Sequence, residues 1–186
     1  MSALSEALRY MGSGDVAETR CKAEKALAML REVSPPKCLY RVFSLESVDG
    51  GYELSGSGII LRGSSVERML HGCHSAAIMI CSLGFGFEAE LRKAQARSMA
   101  DALILDACGS ALVEEGCDNA ELEISAAMPG KHLTDRFSPG YGDLPLAFQQ
   151  DIFAVLDVPR RIGVSLNASL LMSPSKSVTA IVGIKS

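Results

Sequence analysis

The chain has 186 residues, of which 48% are hydrophobic and 22% charged, and its formal net charge is -4. This length and composition predict one compact domain that buries most of its apolar surface. The basic residues are scattered, which argues against a nucleic-acid partner, because backbone binding needs clustered positive charge. The longest mainly apolar run, Ser75 to Phe87, is too short to cross a bilayer, and no signal-peptide pattern opens the chain. We therefore expect a cytoplasmic protein without a membrane partner.

Six cysteines occur at irregular spacings in mostly apolar surroundings, without any C-x-x-C pair. Such residues are typical of reduced thiols in the core of an intracellular protein. They are Cys21, Cys38, Cys73, Cys81, Cys108 and Cys117.

The N-terminal region, residues 1–36, has helical patterns. Ser5 to Met11 predicts a short helix, Gly12-Ser13-Gly14 breaks it, and Asp15 can cap a second helix that runs through Arg31. Pro35-Pro36 closes the region. The apolar face of the second helix is expected at Val16, Ala23, Ala26, Leu27 and Leu30.

Strand patterns follow. Cys38 to Leu45 and Tyr52 to Leu61 are β-like, and Asp49-Gly50-Gly51 between them is a strong hairpin signal. Ser64 with Glu67 then forms a capping-box pattern that opens a short helix through Leu70.

A buried strand and a long helix are predicted in the middle of the chain. Ser75 to Leu83 is continuously apolar, as in a strand covered on both faces. Gly84-Phe85-Gly86 indicates a turn, since the third glycine and the acid of a dinucleotide-binding fingerprint are lacking. The helix that follows has a stripe expected to pack across the sheet, formed by Ala100, Leu103, Ala107, Ala111 and Leu112.

The last third has an extended piece from Lys131, a helix from about Pro145 to Leu156, and two β-like runs, Ile162 to Asn167 and Val178 to Ile184. With a hairpin and no regular βαβ alternation, this order favours an α+β fold. We expect residues 1–186 to form a single domain, with helices packed on a twisted, mainly antiparallel sheet.

The most specific stretch runs from Arg136 to Pro145, with the sequence RFSPGYGDLP. Pro139-Gly140 favours a turn with positive φ at the glycine, and Pro145 suits the first position of a helix. Arg136 offers a planar donor fork for a carboxylate, and Tyr141 offers a ring face and a hydroxyl. These groups suit a zwitterionic ligand with an aromatic ring, without selecting one such ligand.

A family resemblance indicates which zwitterionic ligand this segment binds. The R-x-x-x-G-Y element, Arg136 to Tyr141, resembles the S-adenosylmethionine-binding motif of the activation domain of cobalamin-dependent methionine synthase. Asp143-Leu144-Pro145 and Ser173 to Ala180 are similar to small stand-alone relatives of that domain. From about Met69, the apolar strand ending at Leu83-Gly84 and the long helix follow in the matching order.

The resemblance implies a set of S-adenosylmethionine-binding residues. Arg136 would anchor the carboxylate of the ligand, Tyr141 would position it, and Asp101, matched by its place in the long helix, would meet its ammonium group. The ligand-side position in the last strand, a tyrosine in the family, holds Val178 or Thr179 here. The full implied set is Asp101, Arg136, Ser138, Pro139, Gly140, Tyr141, Thr179 and Ala180.

The resemblance also implies an activity. In the family, the oxidised cobalamin is reduced by one electron and remethylated by S-adenosylmethionine. We expect the corrinoid to belong to a partner, either a cobalamin-binding methionine synthase that lacks this domain or another corrinoid protein. A flavodoxin- or ferredoxin-type protein is the expected electron donor. The chain should not make methionine alone. The alternative is a non-catalytic docking or sensing protein for a corrinoid protein, without S-adenosylmethionine turnover.

No metal site is expected. His71-Gly72-Cys73-His74 groups three metal-ligand types, but no second ligand pair lies at the usual zinc spacing. The D-x-H-x-x-G pattern of a cobalamin-binding module does not occur in the sequence.

Overall fold

The computed structural model describes residues 2–12 and 16–186. The predictions made for Ser13, Gly14 and Asp15 therefore lie outside the described residues. Within the described part, helices are α1 Ala3–Met11, α2 Ala17–Val33, α3 Ser64–Leu70, α4 Phe85–Arg97, α5 Met99–Ala127, α6 Phe148–Leu156 and α7 Val158–Ile162. Strands are β1 Lys37–Val48, β2 Gly51–Leu54, β3 Ile59–Arg62, β4 Cys73–Ser82, β5 His132–Leu133, β6 Ser165–Leu166, β7 Met172–Ser173 and β8 Ser177–Lys185.

A six-stranded antiparallel sheet, in the order β3-β2-β1-β4-β8-β5, forms the middle layer, and β6 and β7 pair separately. The predicted α+β fold with a mainly antiparallel sheet is confirmed. The predicted hairpin is also confirmed, since β1 and β2 pair up to Val48 and Gly51.

Both faces of the sheet are covered, which explains the continuous apolar pattern of β4. Alternate side chains of a strand point to opposite faces. Ala77 and Met79 therefore pack into one core with α1, α2, α4 and α5, whereas Ile78 and Ile80 pack into a second core with α3, α6 and α7. The strand β4 lies between β1 and β8, so its backbone is paired on both sides.

The long helical segment is divided at Ser98. Its side chain caps α5 by accepting a hydrogen bond from the Asp101 N–H at 3.2 Å. The predicted stripe is wrong at its start, because Ala100 is exposed and Leu103 is 67% exposed. Ala107, Ala111 and Leu112 are buried as predicted, and the face that packs on the sheet continues through Cys117, Ala120 and Ile124.

A close packing contact joins α4 to α5. Phe87 is fully buried in the first core, and its ring lies against the backbone of Gly109. A Cβ atom at position 109 would overlap that ring. The glycine therefore lets the aromatic ring fill the space between the two helices.

Three further segments differ from the prediction in the elements that they form. The segment Tyr52 to Leu61 is two strands rather than one, because Gly56 and Gly58 adopt positive φ in the connecting turn. The predicted strand Ile162 to Asn167 begins as the end of α7, and only Ser165–Leu166 is strand. Gly84 precedes the helix α4, so Phe85 and Gly86 are helical instead of forming a turn.

The buried face of α2 is shorter than predicted. Val16 is 57% exposed and does not contribute to it, whereas Ala23, Leu27 and Leu30 do.

Within residues 2–12 and 16–186, no helix is long and apolar enough to span a membrane.

The cysteines differ partly from the prediction. Cys38 and Cys81 are directly opposite on β1 and β4 and form a disulfide, which sequence spacing did not reveal because the two residues meet only through strand pairing. Cys21 is exposed, whereas Cys73, Cys108 and Cys117 are buried free thiols. Burial raises the pKa of Cys108 to about 11 and that of Cys117 to about 12.

These environments predict selective alkylation. At pH 8, less than about 1% of the Cys108 and Cys117 thiols are thiolates, and both are shielded from solvent. Iodoacetamide added to the folded, unreduced protein should therefore label Cys21 first, as peptide mass spectrometry can measure. Equal labelling of Cys108 or Cys117 in the folded state would contradict the burial, and labelling of Cys38 or Cys81 would contradict the disulfide.

Candidate functional site

The segment that carries the motif runs beside the last strand of the sheet. The Phe137 N–H donates to the Ile181 carbonyl at 2.9 Å, and the Ile181 N–H donates back to the Phe137 carbonyl at 2.8 Å. This pairing fixes Arg136 and Ser138 beside β8. Thr179 and Ala180 are buried within β8, where they pair with Ile80 and Met79 of β4. In this antiparallel pairing Ser138 lies opposite Ala180, and Arg136 lies opposite Val182.

The predicted turn is present. The Tyr141 N–H donates to the Ser138 carbonyl at 3.2 Å, and Gly140 has a φ of 91°, as the second central residue of a type II turn requires. Pro139 is buried and anchors the turn. Tyr141 is 69% exposed, so its ring is presented on the surface. The helix after the turn begins at Phe148 rather than Pro145, with the Pro145 carbonyl accepting from the Phe148 N–H.

Three carboxylates surround the Arg136 guanidinium. It lies 2.9 Å from Glu114, 2.9 Å from Asp118 and 3.1 Å from Glu121, and its side chain is 22% exposed. Burial raises the pKa of the Glu121 carboxyl, although the positive charge of Arg136 opposes that shift. Arg136 is therefore not a free donor fork but the centre of an ionic cluster.

The three acids come from one face of α5. Their spacing of four and three residues places them next to one another on the helix surface. The sequence analysis did not identify these acids. Their spacing indicates a shared helix face, but the family resemblance assigned the ligand-binding acid to Asp101. A contact between α5 and the segment after β5 is a tertiary feature that periodicity alone does not reveal.

The same helix face continues toward its N-terminal half. The Lys176 ammonium lies 3.0 Å from the Asp106 carboxylate and donates to the Ser110 hydroxyl at 2.8 Å. Asp106, Ser110 and Glu114 are successive i, i+4 neighbours, so the Lys176 and Arg136 clusters share one stripe of α5. Four carboxylates against two cations give this stripe a net charge of -2.

A small cavity opens beside Arg136. Its volume is about 240 Å³, which is below the usual range of ligand pockets, about 300–1,000 Å³. A groove of about 560 Å³ along α5 shares Tyr10 of α1 with it. The cavity is lined by Glu6, Arg9, Tyr10, Glu114, Asp118 and Arg136. The cavity and the groove together give the ionic cluster an open approach beside α1.

The structure does not bring Asp101 to this site. Its carboxylate lies 3.2 Å from the Lys22 ammonium, at the N-terminal end of α5. Glu114 lies about 20 Å further along the helix, at a rise of about 1.5 Å per residue. The acid that contacts Arg136 in this fold is Glu114, together with Asp118 and Glu121.

The loop after the turn is tied to α3. The Asp143 carboxylate accepts from the Ser64 N–H at 2.6 Å, from the Ser64 hydroxyl at 2.8 Å and from the Ser65 N–H at 3.1 Å. These hydrogen bonds lower the pKa of the Asp143 carboxyl, and the bond from the Ser64 hydroxyl has the largest effect. The predicted capping box is therefore wrong, because the N-cap is Gly63 and the capping carboxylate comes from Asp143. The cap holds the R-x-x-x-G-Y turn against the second core.

Gly63 is required by this cap. It has a φ of 121°, and a Cβ atom there would lie 2.7 Å from Asp143 Oδ1. Gly63→Ala should lower the free energy of unfolding by more than about 1 kcal/mol, measured by denaturant unfolding, because both the backbone and the cap are disturbed. Gly72→Ala is the matched control, since Gly72 also has positive φ but nothing lies within 4 Å. Equal losses in the two variants would show that the Asp143 contact is unimportant.

In the part of the chain that the structure describes, no three His, Cys, Asp or Glu side chains are grouped so that they could hold a metal ion. His71 and His74 are exposed, and Cys73 between them is buried.

The architecture is thus an α+β domain with an arginine-centred ionic cluster beside its last strand. A solved structure described as the MetH reactivation domain bound to AdoHcy is similar, with a TM-score of 0.70 and 16% sequence identity. The match covers 94% of this chain and 68% of that chain. Neither a family model nor a curated protein matches the sequence. The chain has the fold of the MetH reactivation domain, which confirms at the level of fold the resemblance found in the sequence.

Proposed function

We propose that this protein binds S-adenosylmethionine at the Arg136 site and supports reductive remethylation of a corrinoid carried by a partner. The observation that carries the proposal is the charged cavity of Arg136, formed by the motif segment in a fold whose solved neighbour is described as bound to AdoHcy. AdoHcy is the molecule that remains when S-adenosylmethionine has given up its methyl group.

The ionic cluster suits an amino-acid zwitterion. The ligand's carboxylate takes the place of one acid on the Arg136 guanidinium, which already makes separate bonds to Glu114 and Asp118. The acid released in this way accepts the ligand's ammonium group. The Arg136 guanidinium is therefore paired with carboxylates both before and after the ligand binds, and the released acid is paired with the ligand's ammonium group.

The charge of the α5 stripe supports a cationic ligand. The sulfonium of S-adenosylmethionine carries a positive charge, and the stripe formed by Asp106, Glu114, Asp118, Glu121, Arg136 and Lys176 has a net charge of -2. Opposite charges within a few ångströms attract most strongly where water is partly excluded. Tyr141, in the turn that follows Arg136, is 69% exposed, so its ring is available for contact with the ligand or the partner.

The reaction would need this protein, a partner that carries the corrinoid, and an electron donor. The corrinoid would be the methyl acceptor: one electron from the donor and the methyl group of S-adenosylmethionine would convert cob(II)alamin to methylcobalamin and leave AdoHcy. This protein's part is to bind and orient the methyl donor, an effect of proximity. The proposed partner is a cobalamin-binding methionine synthase lacking this domain or another corrinoid protein, with a flavodoxin- or ferredoxin-type electron donor, in the cytoplasm. The protein alone is not expected to make methionine.

The test combines this protein, a cob(II)alamin-loaded corrinoid protein, a reduced flavodoxin and S-adenosylmethionine. Methylcobalamin should appear in the visible spectrum, and labelled methyl should appear on the corrinoid, only when all components are present. Omission of this protein is the control. Equal remethylation without it would contradict the proposal.

A docking or sensing protein without S-adenosylmethionine turnover is the second candidate. The neutralisation of Arg136 by its own acids favours it, because the cluster is satisfied without ligand. In that case the protein would co-elute with a corrinoid protein in gel filtration, yet it would not support remethylation in the complete assay. It also does not require binding of S-adenosylmethionine, so an unchanged melting temperature with this ligand would favour it.

A further inference from the structure

A second cleft lies on the helical face of the molecule, away from Arg136. The helices α2 and α4 both pack on α5 but make little contact with each other. The space between them is a cleft of about 450 Å³, which is within the range of small-ligand sites. We refer to it as the α2–α4 cleft; its lining is Lys22, Lys25, Ala26, Met29, Glu90, Ala94, Arg97, Asp101, Ile104 and Leu105.

The floor of the α2–α4 cleft is apolar. Ile104 and Leu105 of α5 form its base, and Ala26 and Ala94 face it from the two walls. These alanines belong to the first core or pack against it. Because alanine side chains are small, they leave room between the helices that larger residues would fill. The cleft can therefore accept an apolar body.

Positive charges are in excess at the rim of the cleft. Asp101 is paired with Lys22, and Glu90 with Lys93. Lys25 on the α2 wall and Arg97 on the α4 wall have no carboxylate partner within the described residues, and Arg97 bonds only to the Lys93 carbonyl, through Nε. After internal pairing, the cleft presents two cations over an apolar floor.

We propose that the α2–α4 cleft binds a small amphipathic anion, whose apolar body occupies the floor and whose carboxylate, sulfonate or phosphate meets Lys25 and Arg97. Charge complementarity selects an anion, and the cleft volume limits its size. The site is separate from the S-adenosylmethionine site, since Asp101 at its rim lies about 20 Å from Glu114 at the helical rise.

The probes are 8-anilinonaphthalene-1-sulfonate, an aromatic anion, and decanoate, an aliphatic one. The sulfonate should bind with one saturable site and enhanced fluorescence, and decanoate should displace it. Lys25→Ala and Arg97→Ala should each raise its Kd by on the order of tenfold, since each removes a charge-assisted contact. Arg92→Ala is the matched control, because Arg92 is an exposed cation of α4 outside the cleft lining.

A filling variant tests the floor. Ala94→Phe should abolish binding of both probes, while S-adenosylmethionine binding stays as in the parent. Measuring both kinds of binding distinguishes a wrong proposal for the α2–α4 cleft from a wrong proposal for the Arg136 site. Both cations are exposed, so their variants remain informative if Ala94→Phe does not fold. Unsaturable binding, or unchanged affinity in both Lys25→Ala and Arg97→Ala, would overturn the proposal.

Discussion

Replacing Arg136 with lysine is expected to weaken S-adenosylmethionine binding on the order of tenfold to a hundredfold. The guanidinium makes one bond to Glu114 and another to Asp118 from different nitrogens, and the proposed ligand carboxylate takes over part of this geometry. An ammonium keeps the charge but lacks the planar fork, and a charge-assisted hydrogen bond contributes about 1.5–3 kcal/mol. Isothermal titration of both proteins gives the ratio.

Arg31→Lys is the matched control for this variant. Arg31 makes a forked contact with Glu115, another α5 acid, but it does not line the Arg136 cavity. The control should bind S-adenosylmethionine as the parent does. If Arg136→Lys also bound like the parent, with both variants equally folded, the cluster would be a structural element and the ligand would be anchored by other residues.

Replacing Phe87 with alanine is expected to lower the free energy of unfolding by about 3–5 kcal/mol, the usual cost of removing a buried aromatic ring. Phe87 is fully buried between α4, α5 and the sheet, and the Gly109 backbone follows its shape closely, so the neighbouring atoms cannot easily fill the space. Denaturant unfolding followed by circular dichroism measures the change.

Phe85→Ala is the matched control, in the same first turn of α4. Phe85 is 58% exposed, so its removal should change the free energy of unfolding far less. Equal effects of the two substitutions would mean that the core between α4 and α5 is not packed as described here.

The sequence patterns that were correctly interpreted are those with a local cause. Continuous apolar residues predicted β4 because a strand buried on both faces needs them, and Pro139-Gly140 predicted its turn because glycine permits the φ of 91°. The break at Ser98 was missed because helical periodicity continues across it. Leu103 lies after that break, in the same helix as Ala107 and Ala111, but it is 67% exposed and does not belong to the buried face.

The candidate site was only partly predictable. Arg136 and the turn were identified, but the partners of Arg136 and the cap from Asp143 depend on contacts between distant segments. Asp101 was chosen by its position in the helix, whereas the fold places Glu114 at the guanidinium. The spacing of the acids along α5 predicts which of them share a helix face. Which of these acids contacts Arg136 depends on the path of the chain after β5, and the sequence does not predict that path.

Calorimetric titration of S-adenosylmethionine into the purified protein tests directly whether the Arg136 site binds this ligand. We expect saturable binding with one ligand per chain, a rise in melting temperature at saturating ligand, and loss of most of the affinity in Arg136→Lys. The absence of binding heat, together with an unchanged melting temperature at millimolar ligand, would contradict this expectation.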